Sequence, residues 1–154
     1  MQKLKILSGH EVIKDIIITE LNQINTPGGN VLHGIKATSS CYFGFGEAYF
    51  SQIDSGAIKA WKRHKKMCLN LIVPIGEIKF ILFDDRDKFN KQFHEVTISK
   101  KNYSRLTVPP NIWVGFQGRS NSQSLLLNIA NIEHDKNEVD RLDVNGIKYD
   151  WSKS

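Results

Sequence analysis

The sequence predicts an all-β fold, a β-sandwich or jelly roll with few short helices. Three observations lead there. Apolar runs are short, of strand rather than helix length. Turn signals such as Thr26-Pro27-Gly28-Gly29, Asp54-Ser55-Gly56, Pro109-Pro110-Asn111 and Gly118 to Gln123 punctuate the chain, at the spacing of roughly 8–12 residues that all-β domains show. Helical periodicity is absent except weakly after His134. The 154 residues suffice for one domain with its own core, spanning 1–154, and an eight-stranded jelly roll fits that length.

Taken in order, residues 4 to 20 hold apolar groups at Leu4, Ile6, Leu7, Val12, Ile13 and Ile16 to Ile18 and read as short strands. Asn22 to Asn30 is a turn-rich loop, and Val31 to Lys36 a short strand. Cys41 to Ile53, with Tyr42, Phe43, Phe45, Tyr49 and Phe50, reads as one aromatic strand. Asp85 to Gln92 is a charged loop, Phe93 to Ile98 an alternating strand, Leu106 to Val108 and Ile112 to Phe116 short strands around the Pro-Pro break. Ser124 to Ile132 is a strongly apolar strand that carries Asn128 and Asn131. His134 to Asp143 is charged and is expected as a short helix, after which Ile147 to Trp151 closes the chain.

The stretch Gly56 to Arg86 organises the rest. It opens with Lys59, Trp61, Lys62, Arg63, His64, Lys65 and Lys66, turns apolar from Met67 to Val73, breaks at Pro74 and Gly76, and runs apolar again from Ile78 to Phe83. Two β-rich runs around a Pro-x-Gly break read as a hairpin. Strand alternation puts residues 60, 62 and 64 on one face and 59, 61 and 63 on the other. Lys62 and His64 then face one pocket, an ammonium beside an imidazole that in water titrates near 6.5.

Composition narrows the class. The net charge of +5 is mild, and no run of 18 apolar residues spans a membrane. Met1 to Asp15 lacks the apolar segment of a signal peptide, and Cys41 and Cys68 lie in apolar contexts, so a cytoplasmic protein with reduced thiols is expected. One basic strand without a recognition motif does not make a nucleic-acid binder. His10, His33, His94 and His134 are scattered without ligand spacing, so no metal is expected.

Several fragments then fall in a familiar order: Gly56-Ala57-Ile58-Lys59-Ala60-Trp61, Gly76-Glu77-Ile78 with Asp84-Asp85-Arg86, Val108-Pro109 with Gly115-Phe116, then Glu138 and Ile147-Lys148-Tyr149-Asp150-Trp151. Over residues 47 to 151 the chain resembles the dTDP-4-dehydrorhamnose 3,5-epimerase family of cupin-like jelly rolls, and more loosely the sugar-nucleotide 3,4-ketoisomerases. The resemblance departs at the chemistry. The family's catalytic His falls on Lys62, its active-site Tyr on Asn128, the His before Gly-Phe on Val114, and an Arg on Lys59. Of the two His of the ketoisomerase pattern, the second is kept as His64.

The resemblance implies a cofactor-free epimerase or isomerase acting on a nucleotide-linked 4-keto sugar in surface polysaccharide biosynthesis. The alternative is a non-catalytic cupin that binds a sugar nucleotide or glycan. Such chemistry needs a base, a group that polarises the ketone and a proton donor on the opposite face. His64 is the candidate base, Lys62 the cation for an enolate or a second base, and Tyr49 the opposite acid; Asp143 or Glu138 would orient the base. Lys59 and Arg63 are candidates for a diphosphate, Asn128 and Asn131 for ligand hydrogen bonds or a core network, and Trp61 for stacking or core. The family also implies a homodimer, which the aromatic N-terminal third fits.

Overall fold

The computed structural model describes residues 13–153. The apolar groups Leu4 to Val12, read above as part of short strands, lie outside the described residues. In chain order the strands are β1 (Ile17–Glu20), β2 (Gln23–Ile24), β3 (Val31–Leu32), β4 (Glu47–Ile53), β5 (Ile58–His64), β6 (Leu69–Ile75), β7 (Glu77–Asp84), β8 (Gln92–Ser99), β9 (Ser104–Val108), β10 (Trp113–Gly118), β11 (Ser124–Ala130) and β12 (Val139–Arg141). Among the described residues the only helical pieces are 3-10 turns at Lys100–Asn102 and Val144–Gly146, each started by a side-chain cap, Ser99 and Asp143. The all-β jelly roll read from the sequence is the architecture found, with more strands than eight.

Two antiparallel five-stranded sheets, in the orders β1-β9-β6-β11-β4 and β12-β5-β10-β7-β8, pack face to face. Alternation along each strand sends one set of apolar side chains between them. Leu71, Val73, Ile78, Phe80, Leu82, Leu106, Val114 and Leu126 form this core. Phe80 is fully buried, and cutting such a ring to Ala costs about 3–5 kcal/mol. A second cluster lies on the outer face of the second sheet, where Trp61, Ile81 and Trp113 are covered by Ile147, Tyr149 and Trp151 of the closing segment.

Four expectations are corrected. The runs around Pro74 and Gly76 are not a hairpin: β6 lies between β9 and β11 in one sheet, β7 between β10 and β8 in the other. The break is a corner between sheets. Gly76 has φ of 82°, and a Cβ there would meet the Ser124 Oγ at 2.3 Å, so only glycine fits. Pro74 is tolerated because the β6–β11 ladder shifts register between Leu125 and Leu127. The aromatic strand begins at Glu47, not Cys41, and Gly46 passes so close to Ile132 that a Cβ would overlap the backbone. Likewise the strand expected over Val31 to Lys36 is confined to Val31–Leu32.

The fourth correction is the helix expected over His134 to Asp143. Its centre is the strand β12, paired with β5 through Val139↔His64, Asp140↔Arg63 and Arg141↔Lys62. Weak local helix preference loses to this ladder and to the ion pair of Arg63 with Asp140.

Candidate functional site

A bulge in β5 builds the site. β5 pairs with β10 as Trp113↔Arg63 and Val114↔Lys62, then shifts and resumes as Phe116↔Lys59 and Gln117↔Ile58. Ala60 and Trp61 therefore share the space opposite Gly115. Gly115 has no room for a side chain: a Cβ would lie 2.9 Å from both Ala60 Cβ and Trp151 Cη2 and 3.0 Å from Trp61 Cε3. The extra residue breaks the alternation expected from sequence. Lys59 joins Lys62 and His64 on the cavity face, while the Trp61 ring and the Arg63 side chain go to the other face.

The cavity lies between the two sheets and has a volume of about 340 Å³. Leu69, Leu71, Val114, Phe116 and Leu126 give it an apolar floor. Its polar groups are Tyr49 and Ser51 from β4, Lys59, Lys62 and His64 from β5, Asn128 from β11 and Arg141 from β12. A larger hollow of about 540 Å³ lies over the outer face of the first sheet, beside Glu20, His33, Lys36 and the buried Arg105. Size does not favour it as the site. Arg105 there is tied to the Gly34 carbonyl and Thr19 Oγ1.

His64 is held by a buried carboxylate. Glu138, 4% exposed, accepts from His64 Nδ1 and from the backbone N–H groups of Lys65, Lys66 and Met67 at 3.1, 3.1 and 3.3 Å. Burial alone would raise its pKa, but the His64 hydrogen bond and the Lys66 amide outweigh that and hold the carboxyl below its ordinary 4.5. The ionised carboxylate fixes the proton on Nδ1 and leaves Nε2 as the basic nitrogen. Asp143 does not orient His64. It caps the Val144–Gly146 turn, accepting from the Asn145 N–H at 3.1 Å.

Across the cavity, Tyr49 and Asn128 are cross-strand partners, and Asn128 Nδ2 donates to the Tyr49 hydroxyl at 2.8 Å. Asn128 is buried, and among the described residues its Oδ1 has no hydrogen-bond partner. Lys59 Nζ donates to the Gln52 carbonyl at 2.7 Å. Among the described residues no carboxylate pairs with Lys59, Lys62 or Arg141. Lys62 has its pKa lowered by desolvation first, then by Arg141 and Lys59. As a whole residue it is exposed, so the lowering reflects one cavity wall and two cationic neighbours rather than full burial.

Three other candidates have structural partners instead. Arg63 lies 4.5 Å above the Trp113 ring and bonds Asp140 at 2.9 Å and Asp85 at 3.3 Å. Asn131 Oδ1 accepts from the Cys68 N–H at 2.7 Å. Trp61 reaches the cavity wall, but its ring is 1% exposed, packed on Tyr149 and Trp151, with Nε1 donating to the Val144 carbonyl, so no face is left for stacking a ligand. Arg141 is the cavity cation that sequence reading missed; its strand had been read as helix. Among the described residues no group of three or more His, Cys, Asp and Glu is placed to hold a metal ion. The arrangement is suited to moving a proton: a carboxylate-oriented imidazole faces a phenol across an apolar floor, with unpaired cations at one side.

No protein-family model matches the chain. It is similar to the crystal structure of a dTDP sugar isomerase from Desulfovibrio desulfuricans G20, with 34% identity, a TM-score of 0.87, and coverage of 92% of this chain and 93% of that one. The chain belongs to the dTDP-sugar isomerase family. A probable low-salt glycan biosynthesis epimerase from Haloferax volcanii, Agl13, is 28% identical over 96 residues. That match takes in 60% of this dTDP-sugar isomerase family member and 62% of Agl13, so it spans less than two thirds of the curated relative's length. The fold is shared with dTDP-4-dehydrorhamnose 3,5-epimerase from Elizabethkingia anophelis NUHP1, at 16% identity and a TM-score of 0.78 over 99% of this chain and 87% of that one.

Proposed function

We propose that the protein is a cofactor-free epimerase or isomerase of a nucleotide-linked 4-keto sugar in surface glycan synthesis. The observation that carries this is the His64–Glu138 pair facing Tyr49–Asn128 across one apolar cavity, beside cations that have no carboxylate partner among the described residues. His64 takes the proton from the carbon next to the ketone, and Glu138 stabilises the imidazolium that forms. Tyr49, polarised by its Asn128 hydrogen bond, serves the opposite wall. Lys62 activates the ketone, and Lys59 with Arg141 meets the diphosphate.

The test is wash-in of solvent deuterium beside the ketone when the protein meets TDP-4-keto-6-deoxyglucose, read by NMR. Exchange at the sugar is the expected result. Tight binding without exchange would make the protein the non-catalytic sugar-nucleotide or glycan binder instead.

The same reading takes residues 1–154 as one domain, since strands of both five-stranded sheets share one core. It takes the working form as a homodimer, supported by the exposed rings of Phe43, Phe45 and Phe50 at 58%, 62% and 62%; sedimentation as a monomer at micromolar concentration contradicts this. A cytoplasmic location is supported by the buried, unpaired Cys41 and Cys68. Among the described residues no helix is long and apolar enough to cross a membrane.

A further inference from the structure

The cavity contains one amine with nothing to do in the folded protein. Lys62 makes no hydrogen bond or ion pair among the described residues. Its neighbours Lys59 and Arg141 are both cations, Arg141 being its direct partner in the β5–β12 ladder. Val114, its partner on the other side, and Phe116 supply apolar wall. His64 lies two residues along the same strand, and residues so spaced stand about 7 Å apart on one face. A lysine stem and an imidazole at that spacing reach adjacent carbons of one sugar ring.

Resting on the function proposed above, we infer that Lys62 works covalently: its amine condenses with the ketone of the bound sugar, and the resulting imine takes up the electron pair released when His64 removes the adjacent proton. An ammonium serving only as a charge would be better placed beside a carboxylate that keeps it protonated. Here the surroundings push the other way, since desolvation, Arg141 and Lys59 all lower its pKa and favour the neutral, nucleophilic form. Desolvation, the leading cause, increases when a sugar fills the cavity.

The step balances without an added oxidant or reductant. Lys62 Nζ adds to the carbonyl carbon, the carbon–oxygen bond breaks, and the oxygen leaves as water, with the Tyr49 hydroxyl on the far wall placed to supply a proton. In the protonated imine, His64 Nε2 takes the neighbouring proton; the C–H pair becomes the C=C bond of an enamine and the C=N pair moves to nitrogen. Return of a proton to carbon restores the imine, and water hydrolyses it to ketone and free amine. One water is released and one consumed, and the sugar is neither oxidised nor reduced overall.

The experiment joins two readouts. Wild type and TDP-4-keto-6-deoxyglucose are mixed in deuterated buffer, sampled by NMR for exchange, then treated with sodium cyanoborohydride and weighed by mass spectrometry. We expect exchange together with a protein adduct of the sugar nucleotide's mass less one oxygen atom, mapping to Lys62. Lys62→Arg keeps the charge but forms no imine; it should fold and bind TDP like wild type, lose the adduct, and exchange at least roughly 10²-fold more slowly. Exchange by wild type with no adduct at Lys62, or wild-type exchange by Lys62→Arg, overturns the imine and leaves the proton-transfer function standing. TDP-sugar binding with neither exchange nor adduct overturns both.

Discussion

The two faces of β5 carry cations with opposite fates. On the outer face Arg63 is fully engaged, stacked on Trp113 and bonded to Asp140 and Asp85, and Lys65 beyond the strand end shares Asp140. On the inner face, among the described residues, Lys59 has only a backbone carbonyl, and Lys62 and Arg141 have no partner. Both sets come from the same basic run. Charge left unpaired against an apolar floor costs stability, and a fold keeps it where a ligand supplies the counter-charge or chemistry uses it. The difference teaches that partners, rather than residue type, separate a structural cation from a working one.

His64→Asn tests the inner face most severely. Turnover, read as deuterium wash-in, should fall roughly 10²- to 10⁴-fold with binding of the nucleotide nearly intact; wild-type exchange would remove His64 as the base. Glu138→Gln comes next. It disturbs an acceptor of four donors and should lower stability to denaturant by about 2–3 kcal/mol. Because Glu138 is held below its ordinary 4.5, its ionisation stabilises the fold above that pH and the contribution fades as pH falls through the depressed folded value. Wild type should therefore lose stability on acidification more steeply than Glu138→Gln, and parallel acid limbs in the two proteins would contradict the assignment.

Arg141→Met should weaken binding of TDP about tenfold, near 1.4 kcal/mol, while sparing the fold; calorimetry with unchanged affinity would break the contrast between the faces. Arg63→Met is the smallest and sharpest case. The outer face should lose about 1 kcal/mol of stability or less, and exchange should be unchanged. A large loss of turnover in this variant would mean the two faces are not separable.

The fold was legible because alternation and turn residues act locally, and the candidate site because a Lys-x-His pair on a strand has only one way to share a face. What stayed hidden is non-local. Nothing near Pro74 and Gly76 says that β6 and β7 part into different sheets; Ser124, which blocks any other residue at 76, lies far along the chain. Arg141 was invisible because Val139 to Arg141 becomes strand only by pairing with β5. The same pairing sets Glu138, and not Asp143, beside His64. Lys59 was placed on the wrong face because one extra residue in β5 is answered by Gly115, a position more than fifty residues away that sequence alternation alone does not connect to it.

That bulge bears on how such an enzyme can be diversified. A library that randomises 59, 60, 61 and 62 while leaving Gly115 and Trp151 fixed samples mostly sequences that fit the present register, because any side chain larger than that of Ala at 60 competes with the same space. Shortening β5 by one residue would restore plain alternation and turn the ammonium at 59 out of the cavity in a single step. The shape of that wall is thus heritable as a block, and a deletion there exchanges one cavity surface for another without touching His64.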